Sequence, residues 1–316
     1  MFKWFADLIT YDLLKLTRGT HFSDSLNFFL YDVPKIYFLL IIIIFAVAFI
    51  RTYLPPEKIR AIVSGKSEFM GNILASIFGI FMPFCTCSAI PMFMGMVQSG
   101  IPLGVTMSFL VSSPMINEIA VVMLWGLFGW QVSLIYITSG LIIATFSGYL
   151  IGRLKMEKYV SEYIAASKFN SQAIAKSTNL KERLGYSWKY SFEVFKYVWP
   201  YVMVGVGLGA LIHGYIPGDL LIQYAGKTNP IAVIVAVLIG VPLYANAAGA
   251  IPVAQALMDK GLPLGTSLAF LMAVSGLSLP EFLILRTVLK PRLLYTYFGI
   301  VTIGIVVIGY LFNFVF

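Results

Sequence analysis

From Phe2 to Lys15 apolar residues recur at helical spacing, as Phe2, Trp4, Phe5, Leu8, Ile9, Leu13 and Leu14, with Lys3, Asp7, Asp12 and Lys15 set between them. A stripe interleaved with charge predicts a helix lying along a membrane surface rather than through it. Beyond it the pattern changes from stripes to blocks. Apolar runs occupy about 33–51, 69–98, 102–129, 131–152, 194–215, 229–258, 263–288 and 294–315, comparable with or longer than the roughly twenty residues a helix needs to span a bilayer. One long polar stretch interrupts them, residues 153–191. The pattern predicts an all-α polytopic transmembrane bundle of about eight spans. Its parts would be an amphipathic interfacial segment (1–30), a first transmembrane repeat (31–152), a basic linker (153–191) and a second repeat (192–316).

The two repeats are legible as internal similarity. Ala89-Ile90-Pro91 recurs as Ala250-Ile251-Pro252, and eleven residues after Pro91 and Pro252 come Pro102-Leu103-Gly104 and Pro263-Leu264-Gly265. Phe109-Leu110 then answers Phe270-Leu271, and Pro83 answers Pro242 once a two-residue insertion is allowed. Four spans per half would make the repeat parallel, whereas an odd number would make it inverted.

Several of the long runs are interrupted near their middle. In the first half the interruptions are Pro83-Phe84-Cys85-Thr86-Cys87-Ser88 and Ser112-Ser113-Pro114-Met115-Ile116-Asn117-Glu118. Their counterparts run from Pro242 through Tyr244 and Asn246 to Gly249, and from Ser275 through Pro280 to Glu281. Proline removes a backbone hydrogen bond and frees a carbonyl, which is tolerated at membrane depth only beside protein or water. Pro83, Pro91, Pro114, Pro242, Pro252 and Pro280 are therefore expected to mark broken helices whose ends converge at the midplane on a central site. The plainer reading is that they only kink spanning helices.

Composition agrees with the blocks. Of 316 residues, 59% are hydrophobic and 11% charged, and the mean hydropathy is +0.88. A soluble core cannot absorb so much apolar surface. The formal charge of +8 points to headgroups and cytoplasmic loops, not nucleic acid. Two cysteines are too few for a disulfide scaffold. Residues 1–30 carry acids and lack a compact apolar run followed by small residues, so no cleavable signal is expected. The linker holds Arg153, Lys155, Lys158, Lys168, Lys176, Lys181, Arg183 and Lys189 against Glu157, Glu162 and Glu182, and is expected in the cytoplasm. Four spans before it would put the N-terminus there too. Lys58, Arg60, Lys66, Lys290 and Arg292 would then lie outside, against the positive-inside rule.

Chemistry concentrates at the interruptions. Cys85 and Cys87, two apart in an unwound stretch, can turn both sulfurs to one ligand, and thiolates favour Cu(I), Zn(II) or trivalent arsenic-like species. Against this, a membrane cysteine is also an ordinary small apolar residue. The second half offers Tyr244 and Asn246 instead, which excludes a symmetric four-sulfur site. Glu118 and Glu281 follow the later breaks of each half, where a carboxylate fits proton coupling or cation neutralisation. Thr86, Ser88, Ser112, Ser113 and Asn117 add hydrogen-bonding groups to a substrate-binding set that includes both cysteines, both glutamates, Tyr244 and Asn246. No catalytic residue and no cofactor is indicated.

Pro83-Phe84-Cys85-Thr86-Cys87-Ser88-Ala89-Ile90-Pro91 and Ser112-Ser113-Pro114-Met115-Ile116-Asn117 resemble the recurrent motifs of the ArsP/YraQ-type permease family, over most of the chain from about residue 30. The resemblance implies a multi-pass permease of the cell (inner) membrane. Some relatives export trivalent organoarsenicals, with the cysteine pair as the metalloid contact. Expected partners are a small solute and the lipid bilayer, and a homo-oligomer is compatible with this reading. Two alternatives remain, a membrane thiol redox protein using Cys85 and Cys87, and a passive channel. No His-Glu-x-x-His or nucleotide-binding motif is present to support a protease or an ATP-driven pump.

Overall fold

The computed structural model describes residues 2–53, 68–80, 86–116, 118–161, 180–215, 231–243, 250, 253–255, 258 and 261–315. Helix α1 (Phe2–Asp7) continues as a π-helical turn (Leu8–Leu13). It buries Ala6 and Thr10 and exposes Trp4, Phe5, Leu8 and Leu13, while Asn27 Nδ2 donates to Asp7 Oδ1 at 2.9 Å. The expected surface helix is thus tied to the start of the next helix, its apolar side outward.

The first half continues with α2 (His21–Arg51), α3 (Glu68–Ile80), α4 (Thr86–Gln98), α5 (Leu103–Met115) and α6 (Glu118–Arg153). The second half has α7 (Leu180–Tyr215), α8 (Ala232–Gly240), α9 (Leu264–Gly276), α10 (Leu279–Leu285) and α11 (Pro291–Val315). Thus α2 begins inside the segment expected to be interfacial, and α7 begins inside the expected linker. Among the described residues there is no strand, only an isolated bridge between Val160 and Leu289.

Helix α6 is two arms. Gly129 has φ 84° and ψ 168°, a conformation open chiefly to glycine. Ser133 Oγ donates to Val121 O at 3.0 Å, although a straight helix would separate residues twelve apart by about 18 Å. The chain therefore reverses at Gly129. The returning arm runs back along α5, with Gly140 against Ile116, Gly148 against Ser108 and Gly104, and Gly152 against Gly104. Residues 102–129 and 131–152 are successive antiparallel passes, as expected, and the first is broken at Ile116. The break is shorter than the sequence indicated. Helix α5 runs through Ser112, Ser113 and Pro114 to Met115; Pro114 leaves the carbonyl of Leu110 without its helical donor, and the helix stops one residue later.

The segment 69–98 departs from expectation in direction. Glu68 lies beside Gly104, and Gly79 beside Phe109 and Ser112, so α3 runs parallel to α5. Only Ser99, Gly100, Ile101 and Pro102 separate the end of α4 from the start of α5, so α4 must return to the end from which α3 set out. Residues 69–98 form a re-entrant hairpin, not an interrupted span. The second half does the same. Val233 lies beside Gly309 near the start of α9, and Gly240 lies beside Phe270 and Ala273 further along it. Length and hydropathy cannot distinguish a run that crosses from one that turns back inside the bundle. Among the described residues three long helical stretches can be traced in each half, α2, α5 with the first arm of α6, and its second arm, then α7, α9 with α10, and α11.

Because three is odd, the second half is inverted relative to the first. Helices α2 and α7 pack antiparallel, with Tyr37 Oη donating to Trp199 O at 2.9 Å, Phe45 edge-on to Trp188 and Arg183 Nη1 donating to Thr52 O at 2.7 Å. Helices α6 and α11 meet where Ile143 covers Gly304. Close approaches recur 161 residues apart. A β-carbon on Gly104 would stand 2.7 Å from Gly148 O, and Gly265 meets Gly309 O in the same way.

Inversion also resolves the charge conflict. Lys290 N donates to Tyr159 O at 2.8 Å and Ser161 N to Val288 O at 2.9 Å, while Arg292 Nη1 donates to Tyr159 Oη at 3.0 Å. Lys290 and Arg292 therefore lie at the linker's end of the bundle, and the start of α2 lies at the opposite end. The N-terminus does not share the linker's side. Lys58, Arg60 and Lys66 are outside the described residues; Tyr53, the last residue described before them, has its ring 4.3 Å from the Arg183 guanidinium.

Candidate functional site

The breaks of the two halves meet in the middle of the molecule. Met115 ends α5 and Gly276 ends α9, and a β-carbon on Gly276 would stand 3.6 Å from Met115 Cβ. Where α5 stops, its carbonyls lose their helical donors. Tyr136, fully buried on the returning arm of α6, donates to Met115 O at 2.6 Å, and Ser275 of the other half lies against the same hydroxyl. One tyrosine thus joins both breaks.

Its counterpart 161 residues on is Tyr297 of α11, also fully buried, whose hydroxyl stands 3.5 Å from Glu281 Oε1. Glu281 is 3% exposed and sits in the first turn of α10, where the helix dipole favours a carboxylate. Helix α9 is closed by Leu277 N donating to Ala273 O at 2.9 Å. Ser278 is extended at φ −63° and ψ 152°, and Leu279 N donates to Val241 O at 2.8 Å. That last bond ties the break of the second half to the turn of its re-entrant hairpin. Pro242 follows in that turn, and Pro280 occupies the first turn of α10, where a missing N–H costs nothing.

Neither tyrosine was singled out from the sequence, since each lies more than fifteen residues from the nearest break in sequence. The signal that finds them is the constant spacing already set by Phe109 and Phe270. The same spacing corrects one pairing. Glu118 corresponds to Leu279 and Glu281 to Ala120, so the two glutamates share the first turn after a break without being equivalent positions.

The remaining residues named from the sequence are placed unevenly. Pro83, Cys85, Asn117, Tyr244, Asn246 and Pro252 lie outside the described residues. Thr86, Cys87 and Ser88 form the first turn of α4, which continues through Pro91, and Glu118 opens α6. Ser112 and Ser113 are fully buried. Ser112 Oγ donates to Phe109 O at 3.1 Å and fills the space left by Gly79.

Comparison with known proteins places the chain among predicted permeases. A UPF0718 protein of Methanocaldococcus jannaschii, MJ0584, is 22% identical over 303 residues, covering 78% of this chain and 83% of the relative. The UPF0718 protein YraQ of Escherichia coli is 24% identical over 247 residues, covering 78% and 68%. A protein of Streptococcus mutans described as a putative two-component membrane permease complex subunit is 22% identical over 194 residues, covering 60% and 62%. No solved structure matches significantly. The profile of the ArsP_1 family, described as predicted permease, matches residues 21–314, which takes in both inverted halves and the breaks between them. With nearly the whole chain covered, this multi-pass membrane protein belongs to the ArsP_1 family of predicted permeases.

Proposed function

We propose that the chain exports a small solute across the cell (inner) membrane by alternating access between its inverted halves, with the solute held where the broken helices converge. The observation that carries this reading is the meeting of the two breaks at Met115, Tyr136, Ser275 and Gly276. Inverted repeats with discontinuous helices at the midplane supply two related conformations, each opening the centre to one side.

The solute class follows from Cys85 and Cys87. By the repeat, the bond from Leu279 N to Val241 O corresponds to Glu118 and Ile80. The motif carrying both sulfurs follows Ile80 in the sequence as Pro242 follows Val241, and it supplies two soft donors beside the carboxylate proposed for the same site. Trivalent organoarsenicals and soft metal ions suit that donor set. Tyr244, Asn246 and Glu281 would form the opposite wall, and proton exchange would drive export.

The test is uptake of a trivalent monomethyl arsenical into everted vesicles, with and without a proton gradient. Wild type is expected to show saturable, gradient-stimulated uptake that Cys85→Ser and Cys87→Ser abolish and Glu118→Gln uncouples from the gradient. Normal uptake by both serine variants contradicts the thiol contact, and unsaturable flux indifferent to the gradient contradicts a carrier.

A further inference from the structure

A second set of ionisable groups lies in the passes that frame the centre. Asp32-Val33-Pro34-Lys35 on α2 is matched by Glu193-Val194-Phe195-Lys196 on α7, at the same 161-residue spacing that relates Gly104 to Gly265 and Tyr136 to Tyr297. Asp32 is 3% exposed among buried Val33, Ile36 and Leu40, and its carboxylate makes no hydrogen bond or ion pair among the described residues. Lys35 does not close on it. Lys35 Nζ instead donates to Tyr31 Oη at 3.3 Å and stands 5.1 Å from that ring. Lys196 likewise stands 5.0 Å from the Phe192 ring.

The antiparallel crossing of α2 and α7 sets the depth of these groups. Asp32 lies five residues before Tyr37 and Glu193 six residues before Trp199, the pair joined across the crossing. On antiparallel helices this puts the two acids on opposite sides of the crossing, each about 8 Å from it. Asp32 falls inside the apolar stretch Phe22–Ala46, long enough to cross a bilayer, where an ionisable residue costs a few kcal/mol and marks a pathway by default.

Helix α4 brings no charged group to α2, its one titratable residue being Cys87, and α1 with its π-helical turn brings Lys3, Asp7, Tyr11 and Asp12. Helix α7 carries Lys181, Glu182, Arg183, Lys189, Glu193, Lys196 and His213, with Arg183 bonded to Thr52. Of these groups and those on α2 itself, Lys35 is the one whose field bears on Asp32. A lone carboxylate with a lysine one turn away offers too few oxygens for Ca2+ or Mg2+, which take six or more, and too few ligands for the four that zinc takes. A proton fits.

We propose that Asp32 is a proton-carrying group of the permease. Its carboxylate takes a proton from water at its nearer face in one conformation and returns it to water at the other face after the halves exchange. The assignment rests on the transport reading above but names a site apart from the solute.

Two readouts separate the readings. In pH-difference infrared spectra of the protein in nanodiscs, wild type is expected to show the C=O band of a buried protonated carboxyl. Asp32→Asn should remove it and Asp32→Glu should shift it. In everted vesicles, Asp32→Asn is expected to lose gradient-driven accumulation of the monomethyl arsenical yet keep its counterflow exchange, with Asp32→Glu retaining both. A band unchanged in Asp32→Asn, or accumulation by Asp32→Asn as by wild type, overturns the proposal. If wild type moves no arsenical, the cargo reading fails while the infrared band still decides whether Asp32 binds a proton.

Discussion

Asn72 on α3 and Ser108 on α5 are fully buried, and neither the Asn72 amide nor Ser108 Oγ has a hydrogen-bond partner among the described residues. The second half has Val233 and Ala269 at these positions, where they pack against Gly309 as Ser108 packs against Gly148. Replacing both members of a buried polar set by apolar groups of similar shape is nearly neutral or stabilising. Importing the second half's pair, Asn72→Val with Ser108→Ala, should therefore hold or raise the thermal unfolding midpoint in detergent. Tyr136→Phe should lower it, because Met115 O would be left buried without its donor, at a cost of about 1–3 kcal/mol. Residue chemistry was only partly legible beforehand. The ends of α5 and α9 could be read from the interruptions at Pro114 and Pro280, whereas Pro91 lies within a continuous helix. Tyr136 and Tyr297 could not, because what they do depends on a helix that passes a break far away in sequence.

The helices owe their closeness to small residues on facing sides. Gly104 meets Gly148 and Gly152, and Gly265 meets Gly309, allowing the backbone approach on which helix pairs in lipid depend. Gly104→Leu is expected to abolish recovery of monodisperse protein, since the added side chain has backbone in its place. Gly126→Ala is the control. Nothing lies within 4 Å of where its β-carbon would stand, so it should be tolerated or stabilise the arm by up to about 1 kcal/mol. Apolar runs and their interruptions located most elements to within a few residues. Direction was the missing quantity. A thirty-residue run that crosses and one that turns back have the same hydropathy, and only Glu68 beside Gly104 with Gly79 beside Ser112 tells them apart.

For the whole molecule, direction decides mechanism. Two hairpins entering from the same face would belong to a parallel repeat. Hairpins entering from opposite faces give each half the view of the centre that the other has from across the membrane, which is the symmetry alternating access requires. The inverted arrangement also gathers Arg153, Lys155, Lys158, Arg183, Lys290 and Arg292 at one end, as a cytoplasmic face demands. Lys290 and Arg292 contradicted the orientation expected from eight spans, and their place at the linker's end of the bundle is independent support for the inversion. The account turns on this inversion, and Pro102 and Pro263 test it, because they open α5 and α9 at equivalent positions of the two halves. Single cysteines placed there, in a background carrying Cys85→Ser and Cys87→Ser, can be exposed to an impermeant maleimide from either face of sealed vesicles. Inversion predicts that Pro102→Cys reacts from the cytoplasmic face and Pro263→Cys from the opposite one; labelling of both from the same face would contradict it.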